Sequence, residues 1–163
     1  DGQALPPGQV GELWGRGPIV MRGYYGQEAE TRAVLTADGW YKTGDMGMLD
    51  ADGFISITGR KKEMIIVGGE NVYPREIESV LAEHPAVAEC AVIGQRDSSR
   101  GEVVVAFATL KDGAQATEIA LRDFCRARLA GYKVPRRIII ATDLPRGPTG
   151  KILKRRLPEL LSS

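Results

Sequence analysis

Twenty consecutive residues, Gly59 to Glu78, pass through a basic cluster (Arg60-Lys61-Lys62), an apolar β-like run (Met64-Ile65-Ile66-Val67), a Gly68-Gly69 pair and a helix that opens on Pro74. Four such different elements in so short a span exclude one long helix or strand. Glycine alone enters left-handed backbone without a Cβ penalty, so the Gly-Gly pair predicts a tight turn. Proline is preorganised for the first position of a helix, and Ile77, Val80 and Leu81 then share a face at i, i+3 and i+4.

The chain changes character around this segment. Before it, residues 1–60 read as short strands and turns: Val10 to Trp14, Ile19 to Met21 and the alternating Phe54-Ile55-Ser56-Ile57 as strands, with a short polar helix from Glu28 to Leu35. Asp52-Gly53 is a hairpin-turn pair. No helical period here supports a core, and residues 1–60 look like the edge of a β-rich domain. The opening Asp1-Gly2-Gln3-Ala4-Leu5-Pro6-Pro7-Gly8-Gln9 has the character of a mid-loop and lacks an initiator Met, which suggests a piece of something longer.

Residues 61–163 read as a compact α+β unit, the boundary falling near Arg60 to Lys62. The helix from Pro74 ends at His84-Pro85. Val87 to Ile93 and Val103 to Leu110 are β-rich runs joined by a polar loop, Arg96 to Glu102. Thr117 is placed to cap a helix on which Leu121, Phe124, Cys125 and Leu129 share a face. Arg137-Ile138-Ile139-Ile140 supplies a third strand, and after the loop Pro145 to Gly150 a basic terminal helix runs to the end. The expected fold of this part is a three-stranded sheet with flanking helices plus a β-hairpin.

Composition narrows the function classes. A net charge of +1 gives no reason to expect nucleic acid or an anionic membrane as partner. Cys90 and Cys125 stand far apart, with no Cys-x-x-Cys pair and a single histidine, which excludes the common zinc spacings; no metal site is expected. No apolar run approaches 18 residues, so no transmembrane segment is expected, and unpaired cysteines fit a reduced, cytoplasmic setting. Both cysteines read as core residues, His84 as a helix-end residue, and Trp14 and Trp40 as packing anchors.

Three places could carry chemistry. In Tyr41-Lys42-Thr43-Gly44-Asp45, a carboxylate on a turn before a strand can hold two neighbouring hydroxyls, as on a ribose, or simply cap the turn. The loop Leu144 to Lys151 fails the Walker pattern, because positions 145 and 152 are Pro and Ile; it leaves a lysine on a Gly-punctuated loop, either reaching an anion or solvated on a basic face. Gly68-Gly69-Glu70 is an ordinary turn or a close approach of backbone to a narrow ligand.

In order along the chain, Gly11-Glu12-Leu13, Gly23-Tyr24-Tyr25, Tyr41 to Asp45, Gly59 to Glu78 and Pro145 to Lys154 resemble the last third of the AMP-forming acyl-CoA synthetases, in the adenylate-forming superfamily that includes luciferases and peptide-synthetase adenylation domains. The resemblance covers essentially the whole chain. It implies that 1–60 is the terminal β-rich segment of a large N-terminal AMP-binding domain and 61–163 a mobile C-terminal domain. It implies ATP and CoA as substrates, with Mg2+ bound through the large domain, a small carboxylic acid, fatty or aryl, and the large domain itself as partner. Lys151 would be the catalytic lysine of adenylation, Asp45 and Arg60 the nucleotide contacts, Lys62 the hinge, and Gly68-Gly69-Glu70 the pantetheine loop. The family's phosphate loop and adenine-binding segment have no counterpart here, so the chain alone is expected to be inactive. Ser98-Ser99-Arg100 stands where relatives often carry an aromatic residue, and no CoA adenine contact is assigned there. The rival readings are a non-catalytic CoA- or protein-binding module derived from such a domain, and an adenylation domain serving a carrier-protein thiol; the loop Ile66 to Pro74 resembles the acyl- and aryl-CoA ligases instead.

Overall fold

The computed structural model describes residues 2–161, and the chain divides into two compact units, Asp1–Lys62 and Glu63–Ser163. In the first, β1 (Gly11–Gly15), β2 (Tyr41–Leu49) and β3 (Ile55–Arg60) form an antiparallel sheet in that order, with a short helix α1 (Glu28–Val34) between β1 and β2. The β2–β3 turn is locked by Asp50, whose side chain accepts from the backbone N–H groups of Asp52 and Phe54. Lys42 lies over Trp14 and Arg16 over Trp40, so both tryptophans are covered by cations. The buried apolar side chains of the chain all lie beyond residue 64 among the described residues, whereas Leu49, Phe54, Ile55 and Ile57 of this unit are exposed.

The expected strand Ile19 to Met21 does not form. Gly17 takes a positive φ of 143° ahead of Pro18, the chain turns there, and Ile19 stands almost fully in solvent. Without a neighbouring strand, three apolar residues have nothing to pair with.

The second unit is built on β7 (Gly101–Leu110). It pairs antiparallel with β6 (Val87–Asp97) along one edge and parallel with β8 (Arg137–Ile140) on the other. A parallel neighbour requires a crossover, supplied by α3 (Glu118–Arg126), whose N-terminus is capped by Thr117 accepting from the Ala120 N–H. The hairpin β4 (Ile65–Val67) and β5 (Glu70–Val72) joins the same sheet where Val67 pairs with Gly101. The unit is thus the α+β arrangement of three strands, flanking helices and a hairpin, with the hairpin extending the sheet to five strands.

β7 is buried on both faces, which explains its unbroken apolar run. Val104, Ala106 and Ala108 face Ile77 and Leu81 of α2 (Pro74–Ala82) and Leu121 and Cys125 of α3. Val105 and Phe107 face Leu144 and Leu157 on the opposite side. β6 and β7 run further than expected, so the polar connection shrinks to a tight turn at Ser98–Arg100, where the Asp97 side chain accepts from the backbone of Ser99 and Arg100. The terminal helix is also corrected. It is a 3-10 segment over Lys154–Leu161 that begins three residues after Lys151, and Pro158 inside it removes an N–H and so prevents a regular α-helix. Among the described residues no helix is long and apolar enough to cross a membrane.

Ile77 is fully buried against β6, β7 and α3. Replacing it with Ala removes apolar contact and leaves a cavity, a change that costs about 2–5 kcal/mol. The Ile77→Ala chain should therefore show a lower urea midpoint with an unchanged slope, read by circular dichroism.

Candidate functional site

Asp45 lies inside β2, not on a turn before it. The carboxylate nonetheless sits at an irregularity: Glu12 pairs with Met46 but Trp14 with Lys42, so β2 carries extra residues opposite Leu13. Gly44 accommodates this bulge with φ 71°, and the Thr43 hydroxyl donates to the Leu13 carbonyl and accepts from the Asp45 N–H. Across the β2–β3 ladder Asp45 faces Arg60, and the Arg60 Nε contacts the Asp45 Oδ1 at 2.8 Å while Nη1 donates to the Thr43 carbonyl. Two residues singled out from distant parts of the sequence are thus neighbours. The capping alternative for Asp45 is not what forms; its carboxylate is held by a cation.

After Arg60 comes a single 3-10 turn, Lys61–Glu63. Lys61 bonds to Glu12 at 2.8 Å. Lys62 is exposed and has no partner among the described residues, and the division between the two units falls directly after it.

Gly68 and Gly69 form the two-residue turn of the β4–β5 hairpin, with φ of 59° and 92°. Two positive φ values are what a type I′ hairpin turn requires. A Cβ on either glycine would meet nothing within 4 Å, so the backbone conformation and not crowding accounts for both glycines, and the space over the turn is open. Glu70 beside it is exposed. The hairpin is tied to the turn before β7 by Gly68 N–H to the Arg100 carbonyl (3.0 Å) and to β7 by Ile66 N–H to the Glu102 carboxylate (2.8 Å).

Lys151 is exposed on a tightly bonded loop. Its carbonyl accepts from Gly147 N–H at 2.9 Å, and Arg146 and Ile152 form an antiparallel bridge. Its ammonium has no hydrogen-bond or ion-pair partner among the described residues. Three positions later, Lys154 is the opposite case: its Nζ lies 2.6 Å from Glu63 and 2.9 Å from Glu78. Burial works against its charge, but the two carboxylates outweigh this and raise its pKa above the ordinary lysine value. Glu78 also accepts from the Val92 N–H, so this cluster joins the start of the second unit, α2, β6 and the C-terminal segment.

A cavity of about 430 Å³ opens between β7, α3 and the segment before β8. Its wall includes Arg100, Arg122, Arg126, Arg136, Tyr132 and Pro135. The sequence reading missed it, because the arginines come from three separate segments and no local run announces them. Arg122 is fixed by donating to the Pro135 carbonyl, Arg126 pairs with Asp123 and Arg136 lies 3.8 Å from Asp97. Four guanidiniums around one cavity make an anion-attracting surface.

His84 accepts from the Ala86 N–H and meets Phe124 edge-on, a helix-end role. Among the described residues no group of three or more His, Cys, Asp or Glu could hold a metal ion. Burial pushes the Cys90 thiol up to about 12, with Glu78 adding to the effect, and burial pushes Cys125 up to about 11. Thiolates form only far above neutrality, so both cysteines should resist iodoacetamide at pH 8 in the native chain and react once it is unfolded in urea, as followed by mass spectrometry. Rapid labelling of the native protein would contradict the burial of Cys125 and the raised pKa of the half-buried Cys90.

Residues 76–151 match the family model of the AMP-binding enzyme C-terminal domain. The sulfoacetate–CoA ligase of Cupriavidus necator is 45% identical over 96% of this chain, and the long-chain-fatty-acid–CoA ligase of Bacillus subtilis 51% identical over 97%. The chain spans 31% and 28% of their lengths, under a third of each. Among solved structures, the o-succinylbenzoate CoA synthetase of Bacillus subtilis in complex with its acyl-adenylate intermediate superposes with a TM-score of 0.90 at 42% identity, covering 96% of this chain and 32% of that one. Along nearly its whole length the chain thus resembles the C-terminal portion of the AMP-forming acyl-CoA ligases, and residues 76–151 of its second unit match the AMP-binding enzyme C-terminal domain.

Proposed function

We propose that this chain is the C-terminal part of an enzyme that activates a carboxylic acid with ATP and transfers the acyl group to CoA. One observation carries the reading: the Lys151 ammonium is exposed and unpaired among the described residues, on a loop whose backbone is held by hydrogen bonds. Such a lysine offers its whole charge to an incoming anion.

In the first half-reaction the substrate carboxylate oxygen attacks the α-phosphorus of ATP, the bond to the β-phosphate oxygen breaks, and pyrophosphate leaves. Lys151 neutralises charge gathering between the two anions, with no proton transfer. Asp45 accepts hydrogen bonds from the ribose hydroxyls, and Arg60, paired to it, contacts the ribose or phosphate. In the second, the sulfur of CoA attacks the acyl carbon and AMP departs. Rotation about Lys62 withdraws Lys151 and presents the Gly68-Gly69-Glu70 turn to the pantetheine arm. Lys62 is exposed with no partner among the described residues, unlike Lys61 beside it, so a turn of the chain there would break no side-chain tie of Lys62. The arginine-walled cavity receives the phosphates of CoA. Mg2+ would be held with ATP by the large domain.

The exposed apolar residues Leu49, Ile55 and Ile57 on the first unit are the surface that the remainder of the large AMP-binding domain would cover. The acyl pocket would lie in that domain as well. Relatives named for sulfoacetate, long-chain fatty acids and o-succinylbenzoate are similar to this chain along nearly all of it, which fits a segment that does not read the acid. The isolated chain would be inactive, and the enzyme a cytoplasmic one.

Two variants of the intact enzyme separate the half-reactions. Lys151→Ala should slow pyrophosphate exchange about a hundredfold, roughly 3 kcal/mol of transition-state stabilisation, and leave thioester formation from supplied acyl-adenylate unchanged. Equal loss of both would remove the proposed role. Arg126→Ala should raise the KM for CoA about tenfold with pyrophosphate exchange intact, because a charge-assisted phosphate contact contributes on the order of 1.5 kcal/mol; an unchanged KM for CoA would move the phosphates elsewhere.

A further inference from the structure

The loop that carries Lys151 is held by an arginine for which the chemistry above has no use. Arg146 Nη1 donates to the Gly150 carbonyl at 3.0 Å, the peptide immediately before Lys151, while Nη2 is bound to the Glu89 carboxylate on β6. The loop closes on itself around that anchor. Gly147 N–H donates to the Lys151 carbonyl at 2.9 Å, Gly150 N–H to the Gly147 carbonyl at 2.9 Å, and Leu153 N–H to the Pro145 carbonyl at 2.7 Å. Gly150 turns the chain with φ 77°, and a Cβ on Gly147 would press on Leu153 at 3.2 Å. Leu144 is fully buried just before the loop, and Lys154 is clamped by two carboxylates just after it.

We propose that Arg146 is a positioning residue: it fixes the backbone of Lys151 relative to β6, so that a flexible side chain starts from a fixed Cα. The inference rests on the reading of Lys151 as the adenylation group. The physical case is geometric. A planar guanidinium with several fixed N–H vectors bridges a strand carboxylate and a loop carbonyl at once, whereas a single ammonium has no such preset fork. Glu89 supplies the rigid end, because it lies in the long β6–β7 ladder, opposite Thr109. Buried neighbours hold the two ends of the loop but not its tip; Arg146 is the side chain bonded to the residue adjoining Lys151. A displacement of about 1 Å at a reacting group can cost on the order of a hundredfold in rate, so a partial loosening of this loop should be visible in catalysis.

The test uses the full-length enzyme with Arg146→Ala, Arg146→Lys, Glu89→Gln and, as reference, Lys151→Ala. Three quantities are read: the rate of acyl-adenylate formation, the rate of thioester formation from supplied acyl-adenylate, and amide hydrogen exchange of residues 147–153 against that of β6 and β7. The expected result for Arg146→Ala is adenylation slowed about tenfold, thioester formation unchanged, and faster exchange at Gly147, Gly150 and Leu153 with β6 and β7 still protected. Arg146→Lys and Glu89→Gln should fall between it and the native enzyme in both adenylation and loop exchange. Loop exchange that quickens while adenylation holds would overturn the proposal, as would unchanged loop exchange. A fall in both half-reactions together with lost protection in β6 and β7 would make Arg146 a structural support of the whole unit; should Arg146→Ala not fold, the two milder variants decide by the same criteria. If Lys151→Ala itself leaves adenylation intact, the reading of Lys151 fails, whatever Arg146 does to the loop.

Discussion

Burial of β7 on both faces organises everything else in the second unit. A strand that is apolar on both sides needs a layer on each, and this chain supplies unequal ones: two regular helices against Val104, Ala106 and Ala108, and a loop with a short 3-10 segment against Val105 and Phe107. The layers differ in what they carry. The helical side brings Arg122 and Arg126 to the cavity beside Tyr132, while the opposite side is fastened by Leu144, Ile152 and Leu157, the residues that bracket Lys151. A single sheet thus holds two kinds of cationic surface apart, one a concave cluster and the other a lone ammonium. That separation follows from the packing of one strand.

Electrostatic ties then fix the parts that packing leaves loose. Hairpin β4–β5 shares only one residue pair with β7, and Glu102 compensates by accepting the Ile66 N–H. Gly94 makes room for that carboxylate, since a Cβ there would lie 2.7 Å from it. The C-terminal segment is held by Lys154 between Glu63 and Glu78, and removal of the cation would leave two carboxylates facing each other, partly desolvated. In each case a charged group stands where backbone pairing is sparse. The chain between Lys61 and Glu63 lacks such a tie at Lys62, the position at which the units divide.

Much of this was legible in the sequence because it depends on local chemistry. Pro74, the Gly68-Gly69 pair, Thr117 and the apolar run of β7 each specify their own backbone conformation or burial, and the structure follows them. What escaped depends on partners that local sequence does not name. Ile19 to Met21 has strand composition but no strand to pair with. The sequence suggests Asp45 on a turn before a strand, yet it lies inside β2, where Gly44 serves a bulge. The arginines of the cavity come from positions 100 to 136, with Val67 of the hairpin also in its wall, and they meet only once α3 has crossed over β7.

The contrast between Lys151 and Lys154 shows why residue type and spacing could not tell a committed cation from an uncommitted one. In sequence the two look alike, basic residues three apart at the start of a basic tail. In the fold, Lys154 faces two carboxylates whose attraction an arriving anion would have to displace, and its ammonium is committed to holding the C-terminal segment. Among the described residues Lys151 has no such competitor, and its backbone is already ordered, so an anion that binds it pays little of the entropy of fixing the loop. The committed lysine and the uncommitted one are complementary: the ion cluster at Lys154 and the arginine anchor at Arg146 keep the segment between them in place, and only on a segment held in that way does an unpaired charge have a defined position from which to act.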